Sequence, residues 1–308
     1  MDASELDYDL PPELIAQHPA ERRDESRLLV YDRRDRSVQH GVFRELPSFV
    51  SGLTVANDTR VVPARIPLES PRGEVLLVER LEDGTWEALA RPSRRLHEGQ
   101  RYGPVQMIRS LGEGRWLVRL DGEPAGNAPL PPYIHEPLED PERYQTVYAR
   151  EQGSAAAPTA GLHFTREVLA QLDVEYVTLH VGLDTFRPLQ TARVEDHPLH
   201  GERYTVSPEA WQRVEGADDV LAVGTTTTRV LETLARGGEL SGRTELFITP
   251  GFEFRRVDHL LTNFHLPRST LLALVMAFAG VDEVRRLYET AIEERYRFYS
   301  FGDAMLIL

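Results

Sequence analysis

The sequence predicts an α/β main domain interrupted by a small antiparallel β-barrel, and three features of its patterning carry that expectation. Apolar runs of strand length alternate with amphipathic helical stretches over much of the 308-residue chain. From about Leu68 the pattern changes to short alternating segments separated by glycine turns. After Pro131-Pro132 the α/β alternation resumes. The host is therefore expected to be discontinuous, residues 1–67 plus 131–308, with an inserted domain at 68–130.

Taken in order, SRLLVYD (Ser26 to Asp32) reads as a buried strand followed by a turn rich in Arg and Asp. LTVANDTRVVPARI (Leu53 to Ile66) reads as two short extended pieces around a polar turn, its prolines limiting regular pairing. GEVLLVERLEDGTWEALARP carries a hairpin signal at Asp83-Gly84, and RYGPVQMIRSLGEGRWLVRLDGEP repeats it with Gly112, Gly114 and Gly122, the spacing of a small barrel. EYVTLHVGL (Glu175 to Leu183) and DVLAVGTT (Asp219 to Thr226) are strand candidates. TTRVLETLARGG reads as a helix stopped at Gly237-Gly238. STLLALVMAFAG opens on a Ser/Thr cap and stops at Gly280, and VDEVRRLYETAIEERY is amphipathic.

Composition narrows the chemistry. A chain with 41% hydrophobic and 27% charged residues is an ordinary soluble globular protein. The absence of cysteine excludes disulfides, thiolate nucleophiles and cysteine zinc sites. All 35 basic residues are arginine, so a Schiff-base lysine is excluded, while arginine suits bidentate phosphate contacts and base stacking. A net charge of −14 argues against indiscriminate nucleic-acid binding but not against a locally basic patch. No basic stretch precedes an apolar run at the N-terminus, and the longest apolar run, Leu271 to Val281, is too short to span a bilayer. A cytoplasmic enzyme without membrane contact is expected, and a monomer.

Several segments place polar side chains where strands and helices meet. AAAPTAGLHFT (Ala155 to Thr165) combines small residues with Thr159, Gly161 and His163; it is either a ligand-contacting loop or a packed turn opening a helix at Thr165. TLHVGLDTF (Thr178 to Phe186) puts His180, Gly182 and Asp184 at a strand end, where α/β sheets bind ligands. DHPLHGE (Asp196 to Glu202) packs His197, His200 and Glu202 together. It suggests either proton transfer or a metal site, though Pro198 and Gly201 disfavour a regular metal-binding helix. AVGTTTTRVLE (Ala222 to Glu232) has the strand–glycine–hydroxyl–helix order that favours an anion at a helix N-terminus, without a P-loop lysine. LTNFHLPRST contributes Asn263, His265 and Arg268. RYRFYSFGDAML sets Asp303 among aromatic residues that either stack a base or pack a core.

Together these stretches give the chain its resemblance to the S-adenosylmethionine:tRNA ribosyltransferase-isomerase family of the queuosine pathway. The likeness runs through YDLPPELIAQHPAERRDESRLLVYD, NDTRVVPARI, LPPYI, RYQTVYA, GSAAAPTAGLHFT, TLHVGLDTFRP, DHPLHGE, AVGTTTTRVLE, TNFHLPRSTLL and YRFYSFGDAMLI, nearly the whole chain. Two positions depart: Ala155 stands where valine is usual, and Leu183-Asp184 replaces the familiar Ala-Gly, which lowers Asp184 as a shared catalytic residue.

The resemblance implies transfer of the ribosyl part of S-adenosylmethionine, a co-substrate, to 7-aminomethyl-7-deazaguanine at the wobble position of tRNA. Epoxyqueuosine forms, adenine and methionine leave, and no metal is required. His163, His180 and His200 with Glu202 are the expected proton-transfer groups. Thr226, Thr227 and Arg229 are expected to hold the methionine carboxylate or a phosphate. Thr159, Gly161, Gly182, Asn263, His265 and Asp303 complete the expected binding set. RPSRRLHEGQR has four arginines against one glutamate, and Arg91, Arg94 and Arg95 are expected to grip tRNA phosphates. A metal-dependent hydrolase built on DHPLHGE and a non-catalytic tRNA-binding module are the competing readings.

Overall fold

The computed structural model describes residues 1–81, 83–182, 189, 191–197 and 201–308. Its body is a nine-stranded mixed sheet. The spatial order is Ser241–Thr244, Glu202–Thr205, Asp173–Leu179, Leu53–Asn57, Val220–Val223, His259–Asn263, Ala304–Ile307, Arg27–Asp32 and Ser37–Val42. The four strands from Asp173–Leu179 to His259–Asn263 run parallel; Ala304–Ile307 returns antiparallel beside them. Strands of a parallel sheet are covered on both faces, which explains why Leu53–Asn57 and Val220–Val223 are buried at every position. Alternate residues feed two cores: Val55, Ala222 and Leu260 face one side, Ala56, Leu221 and Leu261 the other.

Helices Gly224–Leu234, Thr270–Ala279 and Val281–Glu293 fall close to the expected stretches. Ser269 caps the second of these by accepting from the Leu272 N–H, as its position before an apolar run suggests. The first helix begins directly after Val223 with no side-chain cap, leaving its early N–H groups available. Among the described residues no helix is long and apolar enough to cross a membrane.

Six strands between Arg65 and Leu120 form a second, antiparallel sheet, and Arg65 of its first strand also bridges to Asn127. The order is Arg65–Leu68, Gly73–Arg80, Trp86–Arg91, Arg115–Leu120, Val105–Gly112 and Arg101–Tyr102. It curls around its own core of Val75, Leu77, Trp86, Ala88, Met107, Trp116 and Val118. The sheet is barrel-like but not closed: among the described residues its first and last strands do not pair. Its first strand starts at Arg65, so the anticipated boundary at Leu68 falls inside that strand.

Candidate active site

The parallel strands all end on one side of the sheet, and that edge is where the body meets the six-stranded sheet. Asn57, His180, Gly224 and Asn263 each sit at or just beyond such a strand end, the position at which open α/β sheets bind ligands. A cavity of about 270 Å³ opens there, with His180, Gly182, Glu202 and Arg229 from the body and Glu79, Glu87 and Arg115 from the small sheet in its walls. The smaller sheet is thus one wall of the cavity. Glu79 also accepts from Arg243 of the body at 2.6 Å, tying the two sheets together at the rim.

His180 is held on two sides. Its Nδ1 lies 2.9 Å from the Thr59 hydroxyl, and its backbone N–H donates to the Arg203 carbonyl. A Cβ on Gly153 would come within 2.8 Å of the imidazole, so a glycine at this left-handed position (φ 147°) gives the ring its room. Burial, and next the neighbouring Arg203, push the His180 pKa down to about 4, against weaker opposing effects of Asp58 and Glu79. The imidazole is therefore neutral at pH 7.

Glu202, on the strand paired beside that of His180, lines the same cavity. One carboxylate oxygen accepts the Gly182 N–H at 2.9 Å and the other pairs with Arg229. Arg229 in turn donates to the Leu246 and Thr244 carbonyls, so its guanidinium orients Glu202 rather than standing open to a substrate anion. Glu87 pairs with Arg115 at 2.6 Å on the opposite wall. Carboxylate–guanidinium pairs thus line the space from both sheets.

A smaller recess of about 30 Å³ adjoins the cavity, sharing Val181 and Leu271 with it. Thr159, Thr225, Thr226, Asn263 and His265 surround it, beside the uncapped start of helix Gly224–Leu234. Thr226 accepts from the Asn57 side chain at 3.3 Å. Thr227 does not reach the recess; it is fully buried and donates back to the Val223 carbonyl. His265 bonds Thr262 at 2.8 Å, and burial pushes its pKa down to about 3. Asn263 donates to the Tyr299 carbonyl.

Three expected residues stand apart. His163 does not line the large cavity. It is stacked on Phe43 with ring centroids 5.1 Å apart, its Nδ1 2.7 Å from Ser26, beside a pocket of only about 20 Å³. Burial sets its pKa at about 4, with Asn263 opposing that shift and Arg297 and Arg23 adding to it. Gly161, two residues earlier, packs so tightly on Tyr148 that a Cβ would lie 2.1 Å from the phenol oxygen. Asp303 accepts the Arg27 and Arg297 backbone N–H groups, both at 2.8 Å, which pins the turn into the last strand. His200 and Asp184 lie outside the described residues. Among the described residues no three His, Asp or Glu side chains gather as a metal site.

The anticipated set omitted Asn57, Thr59 and Gly153, and the charged residues of the small sheet. Asn57 is fully buried and bonds the Leu179 backbone through both ends of its amide while reaching Thr226. Its signal in the sequence is the polar run NDT directly after the apolar LTVA. Glu79, Glu87 and Arg115 have no such signal, since each is one more outward position in an alternating strand. Arg91, Arg94 and Arg95 are exposed and form no ion pair among the described residues.

A family model described as "Queuosine biosynthesis protein" matches residues 3–307. The S-adenosylmethionine:tRNA ribosyltransferase-isomerase of Rubrobacter xylanophilus is 55% identical over 100% of this chain and 98% of its own. That of Symbiobacterium thermophilum is 49% identical over the full length of both. The crystal structure of a Thermotoga maritima S-adenosylmethionine tRNA ribosyltransferase is 39% identical, covers 99% of this chain and 100% of that one, and superposes with a TM-score of 0.59. With matches of this length and identity converging on one description, the chain belongs to the queuosine biosynthesis protein family.

Proposed function

We propose that this chain transfers and isomerises the ribosyl moiety of S-adenosylmethionine onto 7-aminomethyl-7-deazaguanine at the wobble position of tRNA, releasing adenine and methionine. The observation that carries this reading is the cavity at the strand ends, in which His180 and Glu202 share one space with charged residues of both sheets. The positive sulfonium acidifies the adjacent C5′–H, and a neutral imidazole at the cavity wall is suited to accept that proton. Glu202, oriented by Arg229 and Gly182, contributes fixed negative charge where positive charge must be stabilised. The recess at the uncapped helix start suits the methionine carboxylate, through the N–H groups near Thr225 and Thr226.

On the same reading Arg91, Arg94 and Arg95 grip tRNA phosphates, an assignment supported by their exposure and lack of acidic partners among the described residues. Residues 68–130, together with the strand Arg65–Leu68, form an insertion into a host made of the chain on either side. S-adenosylmethionine is consumed as a co-substrate, and the chemistry needs no metal.

The decisive assay incubates the protein with S-adenosylmethionine and tRNA carrying the deazaguanine precursor, then measures free adenine and the modified nucleoside. Stoichiometric release of adenine with appearance of epoxyqueuosine is expected. Binding of tRNA with no adenine release would instead make the chain a binding module.

A further inference from the structure

We infer that Thr59 is a positioning residue: its hydroxyl fixes the tautomer of His180, leaving the proton-accepting lone pair on Nε2 and facing the cavity. The inference rests on the role proposed for His180 and goes beyond it by naming the group that sets its chemistry.

Thr59 is fully buried, in a short strand that pairs in parallel with Glu151–Ser154. Its hydroxyl lies between two groups: His180 Nδ1 at 2.9 Å and the Glu151 carbonyl oxygen at 3.4 Å. A hydroxyl has one proton to give and lone pairs to receive, and a carbonyl can only receive. If His180 carries its proton on Nδ1, that N–H donates to Thr59, the Thr59 hydroxyl donates to Glu151, and all three groups are satisfied. If Nδ1 is bare, the single hydroxyl proton serves either the ring or the carbonyl, and one of the two hydrogen bonds is lost. The first arrangement makes two hydrogen bonds where the second makes one, and a net hydrogen bond contributes about 0.5–1.5 kcal/mol. Nε2 then has no proton. His180 lines the cavity and its Nε2 has no hydrogen bond to any described residue, so that lone pair is the one available to a substrate. Gly153 completes the device by leaving the ring the space to lie against Thr59.

The test pairs a spectrum with kinetics. Nitrogen-15 imidazole NMR of the full-length protein, with the His180 signals identified by their loss in His180→Ala, is expected to show the Nδ1–H tautomer at pH 7. Thr59→Val keeps the shape and removes both hydrogen bonds. It is expected to mix or reverse the tautomer and lower kcat about ten-fold or more, with KM for S-adenosylmethionine and tRNA changed less than about two-fold. Thr59→Ser is expected to restore both the spectrum and the rate.

A wild-type His180 protonated on Nε2 overturns the inference even if the valine variant does not fold. A Thr59→Val enzyme at wild-type kcat, in a series where His180→Ala is inactive, also overturns it while leaving the role of His180 standing. A fully active His180→Ala enzyme removes that role itself.

Discussion

Two regions of the molecule each hold a histidine whose pKa is depressed to about 4, but only one of the two rings borders a sizeable cavity. His180 stands at the end of a parallel strand beside a cavity of about 270 Å³, with its Nδ1 edge anchored on Thr59. His163 is clamped between Phe43 and Ser26 next to a pocket of about 20 Å³, space for little more than one water. Neutrality at pH 7 is common to both, so neutrality does not mark a catalytic group. What separates them is empty volume on the side opposite the anchoring hydrogen bond.

The largest effect that can break this comparison is kinetic. His180→Ala should lower kcat by roughly 10²–10⁴-fold, the usual contribution of a positioned proton-transfer group, while His163→Ala keeps kcat within about five-fold of wild type; a steady-state assay of adenine release that ranks them the other way reverses the assignment. The acid limb of kcat/KM sharpens the point. With His180 as the base, activity should hold as pH falls through 6.5 and decline only near 4, where its imidazole takes a proton. A limb near 6.5 would assign the base elsewhere.

Stability tests His163 in its own right. The folded-state pKa of His163 lies below that of the unfolded chain, so unfolded molecules take up the proton first as pH drops. Its contribution is complete above about pH 6.5 and is lost between there and pH 4, amounting to roughly 3 kcal/mol. Urea unfolding of wild type and His163→Ala across that window should show the variant less stable by roughly 2 kcal/mol at pH 7, with a flatter dependence on pH. The smallest effect concerns the outer surface. Replacing Arg91, Arg94 and Arg95 by alanine should weaken tRNA binding several-fold at low salt and flatten its salt dependence, leaving kcat at saturating tRNA unchanged; an unchanged salt slope removes these arginines from the interface.

Local pattern made much of the fold readable. The hairpin turn at Asp83-Gly84, the strand in DVLAV and the helices after Gly224 and Ser269 each declare themselves within a dozen residues. The strands Glu202–Thr205 and Ser241–Thr244 at one end of the sheet do not, because they are short, mixed in polarity and made strands by partners far along the chain. The same division runs through the site. His180, Gly182 and Glu202 were legible as polar residues at a strand end and in a dense motif, and they line one cavity. The helix start makes Arg229 look like an anion ligand, yet its guanidinium is taken up by Glu202, a partner 27 residues away that spacing cannot reveal. Asp303 looked available among aromatic rings but serves two backbone N–H groups.

The Glu79–Arg243 bridge and the placement of Glu87 and Arg115 have a bearing on how this protein can be re-engineered. Grafting a different module in place of residues 65–120 would do more than change the outer surface. It would remove the wall that Val78, Glu79, Glu87 and Arg115 supply and open the cavity to bulk water. A successful chimera would have to rebuild the inner charges of that wall along with its outer face.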